Sequence, residues 1–114
     1  MTATERILTV DPGADALLST AFDDQKYAIK SAKSGEEALS RLHAEPHQLV
    51  IFTYELGDMT GAELCRSVRA NESTRNTSLL FVADRGREDQ VDLCMAAGCN
   101  DVLFRPLQRN EVRS

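Results

Sequence analysis

Short apolar runs alternate along the chain with segments of helical spacing. Ile7-Leu8-Thr9-Val10, Tyr27-Ala28-Ile29, Leu49-Val50-Ile51-Phe52, Leu79-Leu80-Phe81-Val82 and Val102-Leu103-Phe104 are each of strand length and rich in branched or aromatic residues. Four of them are near-continuous rather than alternating, as strands buried on both faces of a parallel sheet read. Between them, residues 13–24 carry Leu17, Leu18, Ala21 and Phe22 at helical spacing. Ser34 and Glu37 make a capping-box signature ahead of Ala38, Leu39 and Leu42, and Thr60 and Glu63 repeat it ahead of Leu64, Cys65 and Val68. A further helix is expected over about 86–97, carrying Val91, Cys94 and Met95 and ending at Gly98 as a left-handed cap. The order β-α-β-α-β-α-β-α-β predicts an α/β three-layer sandwich with right-handed crossovers.

In an open parallel sheet, ligands bind beyond the carboxyl ends of the strands. That rule singles out Asp11, Thr53, Glu55, Ala83, Asp84 and the pair Arg105-Pro106. The set holds few of the groups a catalyst needs, and no Gly-rich phosphate loop, Ser-His-Asp set or paired general acid and base occurs elsewhere.

Composition narrows the classes. The 114 residues suit one domain, taken as 1–114, and 42% hydrophobic with 27% charged residues is globular usage. Thirteen basic against eighteen acidic residues give a net charge of −5. An acidic domain with Arg66, Arg69 and Arg75 sparsely spaced is not expected to contact nucleic acid. No apolar run approaches membrane-span length and the N-terminus does not read as a signal peptide, so a cytoplasmic protein is expected. Cys65, Cys94 and Cys99 form no CxxC pair, fit no zinc spacing with His43 or His47, and are expected to be reduced core residues.

The ordered segments ILTVD (7–11), SGEEAL (34–39), HQLVIFTYELGDMTGAEL (47–64) and AAGCNDVLFRP (96–106) resemble the response-regulator receiver (CheY-like) family over nearly the whole chain. The resemblance implies a flavodoxin-like sheet in strand order 2-1-3-4-5. It also implies phosphoryl transfer from a histidine kinase to an aspartate, with Mg²⁺ held by clustered carboxylates. Carried over position by position, the acidic pair after the first strand survives only as Asp11, next to Pro12. The phosphoacceptor aspartate falls on Thr53, the switch hydroxyl on Ala83, the aromatic switch on Val102 and the lysine on Arg105. The Arg105–Pro106 bond is expected to be cis by the same resemblance.

These departures are chemical. A threonine hydroxyl forms no acyl phosphate, Ala83 offers no hydrogen bond, and an arginine fork does not replace a compact ammonium. The expectation is a degenerate receiver: not an enzyme, with no cofactor or metal, acting through protein partners or a second copy of itself. An alternative is an unorthodox receiver phosphorylated at Thr53 or another residue. A free-standing flavodoxin-like enzyme is a third reading, with no catalytic constellation behind it. Two arrangements of the old pocket stand open: Arg105 pairs with Asp11 or Glu55, or all three face solvent as loop charges. A residual metal site at Asp11 and Glu55 is a minor variant. Asp84-Arg85-Gly86-Arg87-Glu88-Asp89 reads as a solvated loop or the start of a partner surface, and Met59 as a local packing residue.

Only eight residues follow Pro106, so the fifth helix of the family is expected to be short or absent. That would leave apolar sheet surface uncovered. The chain would then be the N-terminal part of a longer protein, or a domain that covers this face with a partner.

Overall fold

The computed structural model describes residues 5–11 and 27–105. Five strands and three helices alternate: β1 (Glu5–Val10), β2 (Tyr27–Ala32), α1 (Gly35–Ala44), β3 (Leu49–Phe52), α2 (Gly61–Ala70), β4 (Ser78–Asp84), α3 (Glu88–Ala97) and β5 (Asp101–Arg105). The strands form one parallel sheet in the order β2-β1-β3-β4-β5. This is the topology expected from the sequence. The segment expected as a helix over 13–24, the Arg105–Pro106 bond and the length of any fifth helix lie outside the described residues.

The apolar runs become strands because each can bury both faces. Leu8, Val10, Val50, Phe52, Leu79, Phe81 and Ala83 point to the face carrying the three helices. There they meet Ala38 and Leu42 of α1, Leu64, Cys65 and Val68 of α2, and Cys94 of α3. Phe52 and Phe81 stack at the centre of this core, with ring centroids 5.5 Å apart. Ile7, Ile51 and Val82 alternate with these onto the opposite face and are 2%, 1% and 1% exposed. These three residues form a second, smaller buried cluster, with Ile29, Leu49 and Leu80 packed against it. At the β5 edge of that face, Leu103 lies level with Val82 and is 44% exposed.

The two capping signatures behave differently. At α2, Thr60 Oγ1 accepts from the Glu63 N–H and Glu63 Oε1 accepts from the Thr60 N–H, a complete capping box. At α1 only half of it forms. Ser34 Oγ accepts from the Glu37 N–H at 3.1 Å, but the Glu37 carboxylate accepts from the Lys33 N–H, one residue further back, and pairs with Arg41 one turn on. The third helix starts at Glu88, later than expected, after a turn at Gly86 with φ +87°. It ends as expected at Gly98, φ +115°, whose N–H bonds back to the last turn.

Arg69, sparse on sequence grounds, is a structural hub. Its guanidinium donates to the carbonyls of Gly98, Arg75 and Thr77 and to Asn100 Oδ1, at 2.6–3.0 Å. All five of its N–H donors are thereby used.

Candidate functional site

At the carboxyl ends of the central strands, the main chain brings Asp11 and Thr53 side by side. The Thr53 N–H donates to the Val10 carbonyl at 3.3 Å, and the Asp11 N–H donates to the Ala32 carbonyl at 3.0 Å. Thr53 is buried at 4% exposure, Ala83 is fully buried, Asp11 is half-buried and Glu55 is exposed. Val102, further back on β5, is half-buried and packs against the core shared with the helices. The side chain of Arg105, together with Pro12 and Pro106, lies outside the described residues, and so does the expected pairing of Arg105 with Asp11 or Glu55.

The loop after Thr53 is shaped by two glycines with different tasks. Gly57 turns the chain at φ +90°. Gly61 permits close approach instead. A Cβ there would lie 2.8 Å from both the Phe52 ring and the Thr53 carbonyl oxygen. The Gly61 N–H donates to the Tyr54 carbonyl at 2.7 Å, and Glu55 bridges to Thr60, closing the loop on itself.

The sequence did not announce what fixes this loop to its neighbour. Asp58 Oδ1 accepts from the Gly35 N–H and Oδ2 from the Glu36 N–H, both at 2.9 Å. With Ser34 on the next amide, the first turn of α1 is capped from a loop 23 residues away. These backbone donors hold the Asp58 carboxyl below the usual carboxylate range. Met59 packs against Gly35 rather than locally, where a Cβ would collide with it.

A second missed residue is Arg87. It makes a two-pronged pair with Asp89, at 3.1 and 3.0 Å, and feels the charges of Glu55 and Asp84. The pair raises the arginine pKa and lowers that of Asp89. The charge-rich run 84–89 thus carries a cation to the rim near Glu55. The signal was present in the run, but its composition alone did not say which arginine faces the loop.

Among the described residues, no group of three or more His, Cys, Asp or Glu side chains could hold a metal ion. Nor is any described helix long and apolar enough to cross a membrane. A cavity of about 470 Å³ lies between Leu42, His47 and Thr74 at the amino ends of the strands, remote from Thr53.

The model of the response regulator receiver domain matches residues 7–114. This chain belongs to the response regulator receiver domain family. It is a signalling domain of the two-component type. It is 27% identical over 101 residues to the probable chemotaxis protein CheY of Rhizobium etli, covering 89% of this receiver domain and 75% of that protein. It is 30% identical over 103 residues to a probable cyclic di-GMP phosphodiesterase of Vibrio cholerae, again over 89% of this chain but only 23% of the relative. Among solved structures, the chemotaxis response regulator CheY4 of Vibrio cholerae shares the fold. The TM-score is 0.83 at 21% identity, covering 97% of this chain and 94% of that one.

Proposed function

We propose that this receiver domain is a degenerate one, which passes its signal through protein contacts without accepting a phosphoryl group. The observation that carries this reading is Thr53, buried beside Asp11 at the carboxyl end of β3, where the family resemblance expects the phosphoacceptor carboxylate. A hydroxyl there can form a phosphate ester but not an acyl phosphate, and it supplies no anionic oxygen to a metal. With Pro12 beside Asp11, one carboxylate stands where a hard cation needs several. The residues do not fit Mg²⁺. Ala83, fully buried, has no hydroxyl to follow a phosphoryl oxygen. Arg105 replaces the family lysine and Val102 the family aromatic.

On this reading the domain spans 1–114, either alone or as the receiver unit of a longer chain. Its partners are other signalling proteins or a second copy of itself, and nucleic acid is not among them. Incubation with acetyl phosphate, or with beryllofluoride, in Mg²⁺ tests it. Unchanged intact mass and unchanged amide spectra are expected. A mass gain of one phosphoryl group, at Thr53 or elsewhere, would overturn the reading in favour of an unorthodox phosphorylatable receiver.

A further inference from the structure

The cavity between the α1–β3 and α2–β4 loops, at the opposite end of the sheet from Thr53, has no part in the function proposed above. His47 lines it and is 5% exposed. Its Nδ1 lies 3.0 Å from the Glu45 carbonyl, so that nitrogen donates, and Nε2 is an acceptor buried with no partner. We propose that this cavity binds a small aliphatic amine in its protonated form, held between the Glu72 carboxylate and the open acceptor of His47.

The charge of the lining sets the class of ligand. Among the described residues, Glu72 is the one lining side chain with a full charge, and it is exposed; no lysine or arginine lines the cavity. The two arginines nearest in effect to His47 face carboxylates: Arg41 pairs with Glu37 at 3.1 Å and Arg6 with Glu45 at 3.9 Å. An anion entering here would meet Glu72 and no lining cation. An ammonium group finds a carboxylate for its charge and a neutral imidazole nitrogen for one N–H. Asn76 and Ser78 offer further acceptors, and Leu42 and Pro46 give apolar surface for an aliphatic stem.

The walls are held in place by the fold itself. The Ser78 N–H donates to the Gln48 carbonyl at 3.2 Å, which joins the two loops. Asn71 Oδ1 accepts from the Ser73 N–H at 3.0 Å and from its hydroxyl at 2.8 Å, and Thr74 Oγ1 donates to the Val68 carbonyl at 2.7 Å. Arg69 holds the Arg75 and Thr77 carbonyls from beneath the same loop. A site that is already ordered loses less of its contact energy to entropy when a ligand arrives. Its volume, about 470 Å³, is ample for a small organic molecule.

The test titrates the whole chain near neutral pH with diaminobutane, butanediol and butanedioate, which share a four-carbon skeleton and differ in charge. Amide and imidazole nitrogen NMR provide the readout. Diaminobutane alone should give saturable shifts of the His47 ring nitrogens and of the amides of Glu72, Ser73 and Asn76, with about millimolar affinity for so small a ligand. Glu72→Gln, at an exposed position, should weaken binding severalfold, and His47→Phe should abolish it. Should His47→Phe fail to fold, the Nε2 resonance of the parent decides, because it moves when that nitrogen accepts a hydrogen bond. Equal binding of butanediol, binding of butanedioate, shifts that never saturate, shifts scattered over other acidic residues with His47 unmoved, or unchanged affinity in Glu72→Gln would each overturn the proposal.

Discussion

Asp58 holds the first amide of α1: its Oδ1 accepts from the Gly35 N–H at 2.9 Å while Oδ2 takes the Glu36 N–H. One exposed carboxylate therefore fastens the loop that follows Thr53 onto a helix that begins 23 residues earlier. Asp58→Ala should release both. The amides of Gly35 and Glu36 should lose protection in hydrogen exchange, with a lower melting temperature, while the α2 core amides stay protected.

The same carboxylate sets an acid limit. Its folded pKa lies below the ordinary 3.8 because backbone donors stabilise the charge. A group depressed in the folded state contributes stability above its unfolded pKa, and that contribution disappears as pH falls through the folded value. Stability measured between about pH 5 and pH 2 should therefore fall less steeply in Asp58→Asn than in the parent. Equal slopes would show that the Asp58 bonds contribute nothing.

His47 gives a dependence nearer neutrality. It is 5% exposed, and its Nδ1 lies 3.0 Å from the Glu45 carbonyl. A carbonyl only accepts, so Nδ1 carries the proton and Nε2, buried without a hydrogen-bond partner, is the bare nitrogen of a neutral ring. Burial lowers the His47 pKa below 6.5, with Arg6 and Arg41 adding to that effect and Glu45 opposing it. The unfolded chain then binds more protons, so stability is complete above about pH 6.5 and declines as pH falls from there toward the folded pKa. NMR titration of the His47 ring checks the direction; a midpoint at or above the free value would contradict it.

Arg69 should be irreplaceable by lysine. Removing its side chain leaves the carbonyls of Gly98, Arg75 and Thr77 without their donors, and hydrogen bonds from charged groups are worth about 1.5–3 kcal/mol each. Arg69→Ala should cost at least about 2 kcal/mol in urea unfolding. Arg69→Lys should recover little of it, because an ammonium cannot span the fork.

Gly61 offers a steric test beside Thr53. In Gly61→Ala the new methyl carbon would meet the Phe52 ring and the Thr53 carbonyl at 2.8 Å, and overpacking of this kind costs about 1–3 kcal/mol. Chemical shifts around Thr53 should move with the loss of stability. If α2 slides to accommodate the methyl, stability will be near parental and the Gly61–Tyr54 bond will be the one that lengthens.

Local patterns in the sequence were legible and distant ones were not. Leu49–Phe52 is a strand because four apolar residues in a row can be buried only between two layers. Thr60 and Glu63 cap α2 as their spacing says, because both partners belong to one turn. Glu37 leaves the Ser34 amide for the Lys33 N–H, while Asp58 serves the Gly35 and Glu36 amides from a distant loop. Nothing within five residues of Asp58 hints at that partner. Arg69 was unreadable for a related reason. Its acceptors are mainly backbone carbonyls, which every residue possesses, so no side-chain identity marks them. At the candidate site, Asp11 and Thr53 follow the last residues of β1 and β3 because topology alone puts them there, whereas Ala83 and Asp84 lie inside β4, which runs on to pair with β5, and Arg87 needed the path of the 84–89 turn.

The five filled donors of Arg69 also alter what a visitor to this surface meets. A count of thirteen basic residues suggests thirteen cationic forks or ammonium groups available for recognition. Arg69 has none to lend, since each N–H is already committed indoors. Toward a docking protein, the domain is richer in acceptors than its formal charge of −5 conveys.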